Sequence, residues 1–197
     1  MSAGQARVSA ALAAFSQERA APPAGGVLLL GSSSAHRWVT LAEDVPGLQV
    51  VNRGIEGAEL GELSAYVEEL VAPYDPRLIV LYAGDNDLAR GRAPEAVLAA
   101  FEMLMDALRA RAPAVPVLYL SIKPSPARWN RIAAIRRANA LLVAYAEAQP
   151  GVSFVDVFTP MLDAAGRPRR SLYSRDGLHL SRAGYALWAE VLAPYLR

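Results

Sequence analysis

Two short stretches hold the side chains with the most chemistry to offer. Gly31-Ser32-Ser33-Ser34 follows the apolar run Val27 to Leu30, and Asp176-Gly177-Leu178-His179 stands just before the last helical stripe. A serine hydroxyl attacks a carbonyl only when a base removes its proton. The base needs an acid to hold its tautomer, and the oxyanion that forms needs preformed donors. Ser33, His179 and Asp176 are of the types these first three duties require. A three-residue offset on an irregular turn can set the carboxylate against imidazole Nδ1 and leave Nε2 free for the serine. The backbone N–H of Ser33, that of Gly57 and the side-chain amide of Asn86 are candidate oxyanion donors, and a glycine at 57 lets the backbone approach a ligand closely. The same residues have plainer uses: a serine-rich turn caps a helix, Asn86 bonds its own turn, and Asp176 with His179 forms a surface ion pair. His36, the other histidine, is expected on the first turn of the helix after the serines, facing solvent or core, which disfavours it as a base that must reach the hydroxyl while held by an acid.

These side chains can cooperate only if the chain brings them to one rim. Five strand-length apolar runs, Val27 to Leu30, Leu48 to Asn52, Leu78 to Ala83, Val117 to Ile122 and Val152 to Val157, alternate with segments of helical periodicity. Mostly continuous hydrophobicity suits strands covered on both faces. One helical stripe is Leu60, Leu63, Val67, Leu70 and Val71; a second is Val97, Leu98, Phe101, Leu104, Met105 and Leu108. Ile132, Ile135, Leu142 and Tyr145 form another, and Leu187, Trp188, Val191, Leu192 and Tyr195 the last. Pro94 opens one helix, Pro113 and Pro116 close it, Pro150-Gly151 ends the next, and Ser181 is a natural N-cap for the last. The segment from Ala164 to Arg170 reads as an exposed loop. Such alternation predicts an α/β fold with a parallel sheet and right-handed crossovers, whose ligands sit beyond the carboxyl ends of the strands. Ser33, Gly57 and Asn86 all follow strands, which puts them on that rim.

Composition narrows the classes. The chain has 197 residues and a net charge of +1, with both signs spread along it, so no basic stripe for nucleic acid is expected. There is no cysteine and there are two histidines, which argues against thiol chemistry and a transition-metal cage. At 53% apolar and 20% charged, the chain is set for a packed core. One domain over residues 1–197 is expected, with 1–24 as an N-terminal helix and linker. The alanine-rich start is short and followed by charge, unlike a secretory signal, and no apolar run is long enough for a membrane span; a cytoplasmic location is expected.

Four blocks in order, Gly31-Ser32-Ser33, Gly57 within Asn52-Arg53-Gly54-Ile55-Glu56-Gly57, Gly84-Asp85-Asn86-Asp87, and Asp176 with His179, give the chain its resemblance to the SGNH (GDSL-like) hydrolases. The resemblance runs from about Val27 to Leu196. It implies a three-layer α/β/α sandwich with five parallel strands in the flavodoxin-like order 2-1-3-4-5. It implies ester hydrolysis with no metal or organic cofactor, Ser33, Asp176 and His179 as a triad, and Ser33, Gly57 and Asn86 as the oxyanion hole. One departure is that Ser32 stands where the family's GDS block has aspartate.

The expected partner is a small ester, since a compact chain has few insertions from which to build a lid or lipid tunnel. Short acyl groups are therefore expected, with a lysophospholipase or thioesterase of the same family as the alternative. Trp38, Tyr173 and Leu178, and after them Lys123 and Trp129, are candidate substrate-lining residues. A non-catalytic flavodoxin-like module, binding phosphate or a nucleotide at the serine turn, accounts for the serines but not for Asp176 with His179. An α/β-hydrolase elbow would sit deeper in the sheet than a serine following the first strand. Asp85 and Asp87 are too close in one turn to flank a glycosidic bond, and read as scaffolding.

Overall fold

The structure, a computed structural model, describes residues 2–17 and 24–196. Most of the expected linker lies outside the described residues. Helix α1 (Ala3–Ser16) precedes β1 (Val27–Gly31), α2 (Ser33–His36), α3 (Leu41–Asp44), β2 (Val50–Gly54), α4 (Leu60–Ser64) and α5 (Val67–Val71). Then come β3 (Leu78–Tyr82), α6 (Asp85–Ala89), α7 (Pro94–Arg111), β4 (Val117–Leu120), α8 (Ile132–Ala148), β5 (Val152–Val155) and α9 (Arg182–Leu192). The strands form one parallel sheet in the order β2-β1-β3-β4-β5. The α/β class and the strand order are as the sequence and its resemblance led one to expect.

Successive strand side chains point to opposite faces, and both faces of this sheet are covered. Leu28 and Leu30 of β1, with Ile79 and Leu81 of β3, pack on one side against Val8, Leu63, Phe101, Leu104 and Leu142 from α1, α4, α7 and α8. Val27 and Leu29, with Val80, Tyr82 and Leu120, pack on the other against Trp38, Leu41, Trp188 and Leu192 from the segment after β1 and from α9. The unbroken apolar runs of β1 and β3 are what central strands of a three-layer sandwich require. At the edge, β5 exposes Ser153.

Local signals set most boundaries. Pro94 occupies the first turn of α7, which ends before Pro113, and Ser181 caps α9 by accepting from the Gly184 N–H at 3.3 Å. Three expectations change. The strand expected over Leu48 to Asn52 runs two residues later. The stripe from Leu60 to Val71 is buried as expected but divides into α4 and α5, because Tyr66 leaves helical geometry at φ −126° and ψ 25°; periodicity records the buried face and tolerates a one-residue break. Tyr195 is 45% exposed, since the chain passes from α9 into a 3-10 turn at Ala193-Pro194 and the phase of the stripe is lost. Among the described residues no helix is long and apolar enough to cross a membrane.

Candidate active site

The serine turn is made by close backbone approach. A Cβ on Gly31 would lie 2.1 Å from the Tyr82 carbonyl oxygen, and one on Gly54 would lie 2.1 Å from the His36 nitrogen, so β1 can meet the end of β3, and β2 the end of α2, only through glycines. The Ser32 N–H donates to the Tyr82 carbonyl at 2.9 Å, and the Ile55 N–H to the Gly31 carbonyl at 2.8 Å. Ser33 then opens the single turn of α2. Of the three serines, Ser33 keeps 8% of its surface while Ser32 keeps 1% and Ser34 none, so Ser33 is the most accessible to a substrate. His36 is turned away, its Nδ1 donating to the Gly54 carbonyl at 3.2 Å.

The histidine loop is equally well tied. Asp176 Oδ2 lies 2.6 Å from His179 Nδ1, while Oδ1 accepts the N–H groups of Leu178 at 2.9 Å and of His179 at 3.0 Å. Partial burial pushes the Asp176 carboxyl up, but the hydrogen bonds from the His179 ring and these two backbone groups prevail and hold it well below the usual carboxylate range. An ionised carboxylate only accepts, so Nδ1 carries the proton and a neutral ring has Nε2 bare. Just beyond the loop, the Tyr185 hydroxyl of α9 donates to the Ser34 carbonyl at 3.0 Å. That bond joins the histidine segment to the serine turn across 151 residues of sequence.

His179 Nε2 lies 3.8 Å from Glu56 Oε1. Glu56 follows β2 and is gripped by Arg37, at 3.0 and 3.1 Å, one turn beyond Ser33. The histidine, the second block and the serine turn therefore share one rim. Among the described residues the Ser33 hydroxyl and Nε2 are not hydrogen-bonded; such bonds are often long in a free enzyme and tighten around substrate.

Asn86, on α6, donates from Nδ2 to the Ala58 carbonyl at 3.0 Å and accepts at Oδ1 from Arg128 Nη2 at 3.0 Å. The amide is thus locked against the second block. Gly57 adopts φ +69°, and a Cβ there would meet only the Arg7 side chain, at 3.9 Å; its backbone sign, rather than crowding by protein atoms, is what calls for glycine. Beneath Asn86, buried Asp85 pairs with Arg128 and with Lys123, whose Nζ is 2.8 Å away and also donates to the Tyr82 hydroxyl at 3.1 Å. Burial pushes the Asp85 carboxyl up, yet Lys123 and Arg128 outweigh it and keep it ionised.

Among the described residues Asp87 has no such cation in contact. It is buried and takes long hydrogen bonds, 3.3 and 3.4 Å, from the Leu60 N–H. Desolvation, partly offset by that N–H, raises its pKa from 3.8 to about 6. The folded chain binds this proton more tightly than the unfolded one, so stability should fall as pH rises through the window between those two values, by roughly 3 kcal/mol in all. Asp87→Asn is expected to flatten that part of the curve, measured by urea unfolding across the window; an unchanged slope would refute the assignment. Asp85 and Asp87 thus both serve the scaffold.

The expected lining residues fare unevenly. Trp38 is 1% exposed, stacked on Tyr185 at 5.4 Å between ring centroids, with Nε1 on Asp44 at 2.8 Å; it is a core side chain. Tyr173 is buried too, its hydroxyl on the Pro124 carbonyl at 3.1 Å, and Lys123 is consumed by Asp85. Burial removes all three from the lining. Leu178 and Trp129 stay half-buried, on the histidine loop and on the 3-10 turn Pro126–Arg131 beside it. Sequence reasoning missed Arg37, Glu56 and Arg128. Nothing in their local pattern marks them, because their partners stand 19 and 42 residues away along the chain.

No curated protein matches this chain. Among solved structures, a Streptococcus pneumonia protein described as a platelet activating factor is 25% identical with a TM-score of 0.83, covering 98% of this chain and 92% of its own. A GDSL-like lipase from Bacteroides thetaiotaomicron is 21% identical with a TM-score of 0.74, covering 98% and 97%. The family 3 carbohydrate esterase of Clostridium thermocellum is 20% identical with a TM-score of 0.71, covering 89% and 98%. The profile of the GDSL-like lipase/acylhydrolase family matches residues 20–187, most of the chain and all four blocks. With that match, the chain belongs to the GDSL-like lipase/acylhydrolase family, and is a hydrolase of that fold.

Proposed function

We propose that this hydrolase is a serine esterase acting on short-chain carboxylic esters. The observation that carries the reading is the 2.6 Å contact between Asp176 Oδ2 and His179 Nδ1, in a loop bonded through Tyr185 to the turn that bears Ser33. It leaves the ring with Nε2 available as a base. His179 takes the Ser33 proton as Oγ bonds to the ester carbonyl carbon. The N–H groups of Ser33 and Gly57 and the Asn86 amide receive the oxyanion, and the tetrahedral adduct expels the alcohol, which leaves with the proton from His179. Water then repeats the sequence on the acyl-enzyme, releasing the acid and restoring Ser33.

The short-chain preference is supported by the small size of the chain and by its likeness in fold to a carbohydrate esterase. Hydrolysis of p-nitrophenyl esters from acetate to palmitate should give the highest kcat/KM at acetate or butyrate, falling steadily beyond; a maximum at long chains would favour a lysophospholipase. A phosphate-binding module is disfavoured because α2 is one turn long and offers little helix dipole to an anion.

A further inference from the structure

One turn of chain grips two parts of the proposed site at once. After β4 the chain enters the 3-10 turn Pro126–Arg131. From this turn the Ala127 N–H donates to the Gly177 carbonyl at 3.0 Å, between Asp176 and His179. The next residue, Arg128, sends Nη2 to Asn86 Oδ1 at 3.0 Å, and its Nη1 pairs with Asp85. Asp85 in turn is held by Lys123 at 2.8 Å, with both side chains buried. The guanidinium is therefore anchored from behind and presents its other prong to the amide.

An asparagine amide has two ends that differ only in which atom donates. With Oδ1 on a guanidinium and one Nδ2 hydrogen on the Ala58 carbonyl, Asn86 cannot turn over, and its second Nδ2 hydrogen is left for a substrate oxygen. We propose that Arg128 is a positioning residue for the oxyanion hole, fixing the Asn86 amide with Nδ2 as the donor and strengthening that donor by drawing charge from Oδ1. The inference rests on the esterase reading above. Lysine would not replace arginine, because a single ammonium lacks the planar fork that spans Asp85 and Asn86.

The test is a double-mutant cycle on p-nitrophenyl acetate, with thermal unfolding as the check on folding. Arg128→Ala should lower kcat about 10- to 100-fold with KM changed less than about twofold, because the amide acts on the oxyanion and not on the bound ester. Asn86→Ala should cost about 100-fold or more, and adding Arg128→Ala to it should cost less than about twofold more, since nothing remains to position. Added guanidinium should restore part of the rate to Arg128→Ala and none to the double variant. If the alanine variant does not fold, Arg128→Lys, which keeps a cation beside Asp85, carries the same comparison, with a smaller loss in kcat that again vanishes in the Asn86→Ala background. An equal loss in both backgrounds, a raised KM at unchanged kcat, or no loss would overturn the positioning role while leaving the esterase standing. A wild-type protein that neither hydrolyses esters nor labels at Ser33 with a fluorophosphonate would instead remove the esterase reading, and this inference with it.

Discussion

Ser33→Ala is expected to lower ester turnover by at least about 10⁴-fold and to abolish covalent labelling by a sulfonyl fluoride. Ser32→Ala and Ser34→Ala should both keep the label. The contrast follows from burial as much as from motif: Ser32 and Ser34 are closed off beneath the turn, and only Ser33 retains appreciable surface on the rim reached by His179. Loss of the Ser34 hydroxyl should also cost little stability, because that oxygen is buried with no hydrogen-bond partner among the described residues and its removal strands nothing. Mass spectrometry of the labelled protein locates the adduct. A label on Ser32 or Ser34, or one that survives Ser33→Ala, would dismiss Ser33 as the nucleophile.

The second large effect is at Asp176. Replacement by asparagine preserves shape, and its Oδ1 can still accept from the Leu178 and His179 N–H groups, so the loop should stand. What changes is the atom facing His179 Nδ1. An amide N–H there donates, so the neutral ring must accept at Nδ1 and carry its proton on Nε2, where it can no longer take one from Ser33. Turnover should fall by about 10³- to 10⁴-fold with little change in KM and in the urea midpoint. Nitrogen NMR of His179 should report the exchanged tautomer. Near wild-type turnover would show that Asp176 does not set the ring, and that the pair is a surface contact.

How much of this was legible beforehand differs from element to element. The strand positions of β1 and β3 could be read because both faces of a central strand are apolar, leaving a continuous run. The edges were harder: β2 was placed two residues early, since a strand with one bare side mixes polar residues into its pattern. Motif order identified Ser33, Asn86, Asp176 and His179 as candidates, because backbone turns and paired side chains are local and leave local signatures. Trp38 and Tyr173 were misjudged as lining residues for the opposite reason: an aromatic side chain carries no mark of whether it faces a cleft or a core.

What the sequence by itself determined is therefore the alternation of elements, the rim at the strand ends and the residue types delivered to it. All of these follow from hydrophobic period and turn chemistry acting over a few residues. Tertiary structure alone decided the company those residues keep. Arg37 with Glu56, Arg128 with Asn86 and Asp85, and Tyr185 with Ser34 are pairings across separations of up to 151 residues. Such contacts arise only when strand order and crossovers are in place, because the energy of a charged or hydrogen-bonded pair depends on distance and burial, and neither is written in the spacing of letters.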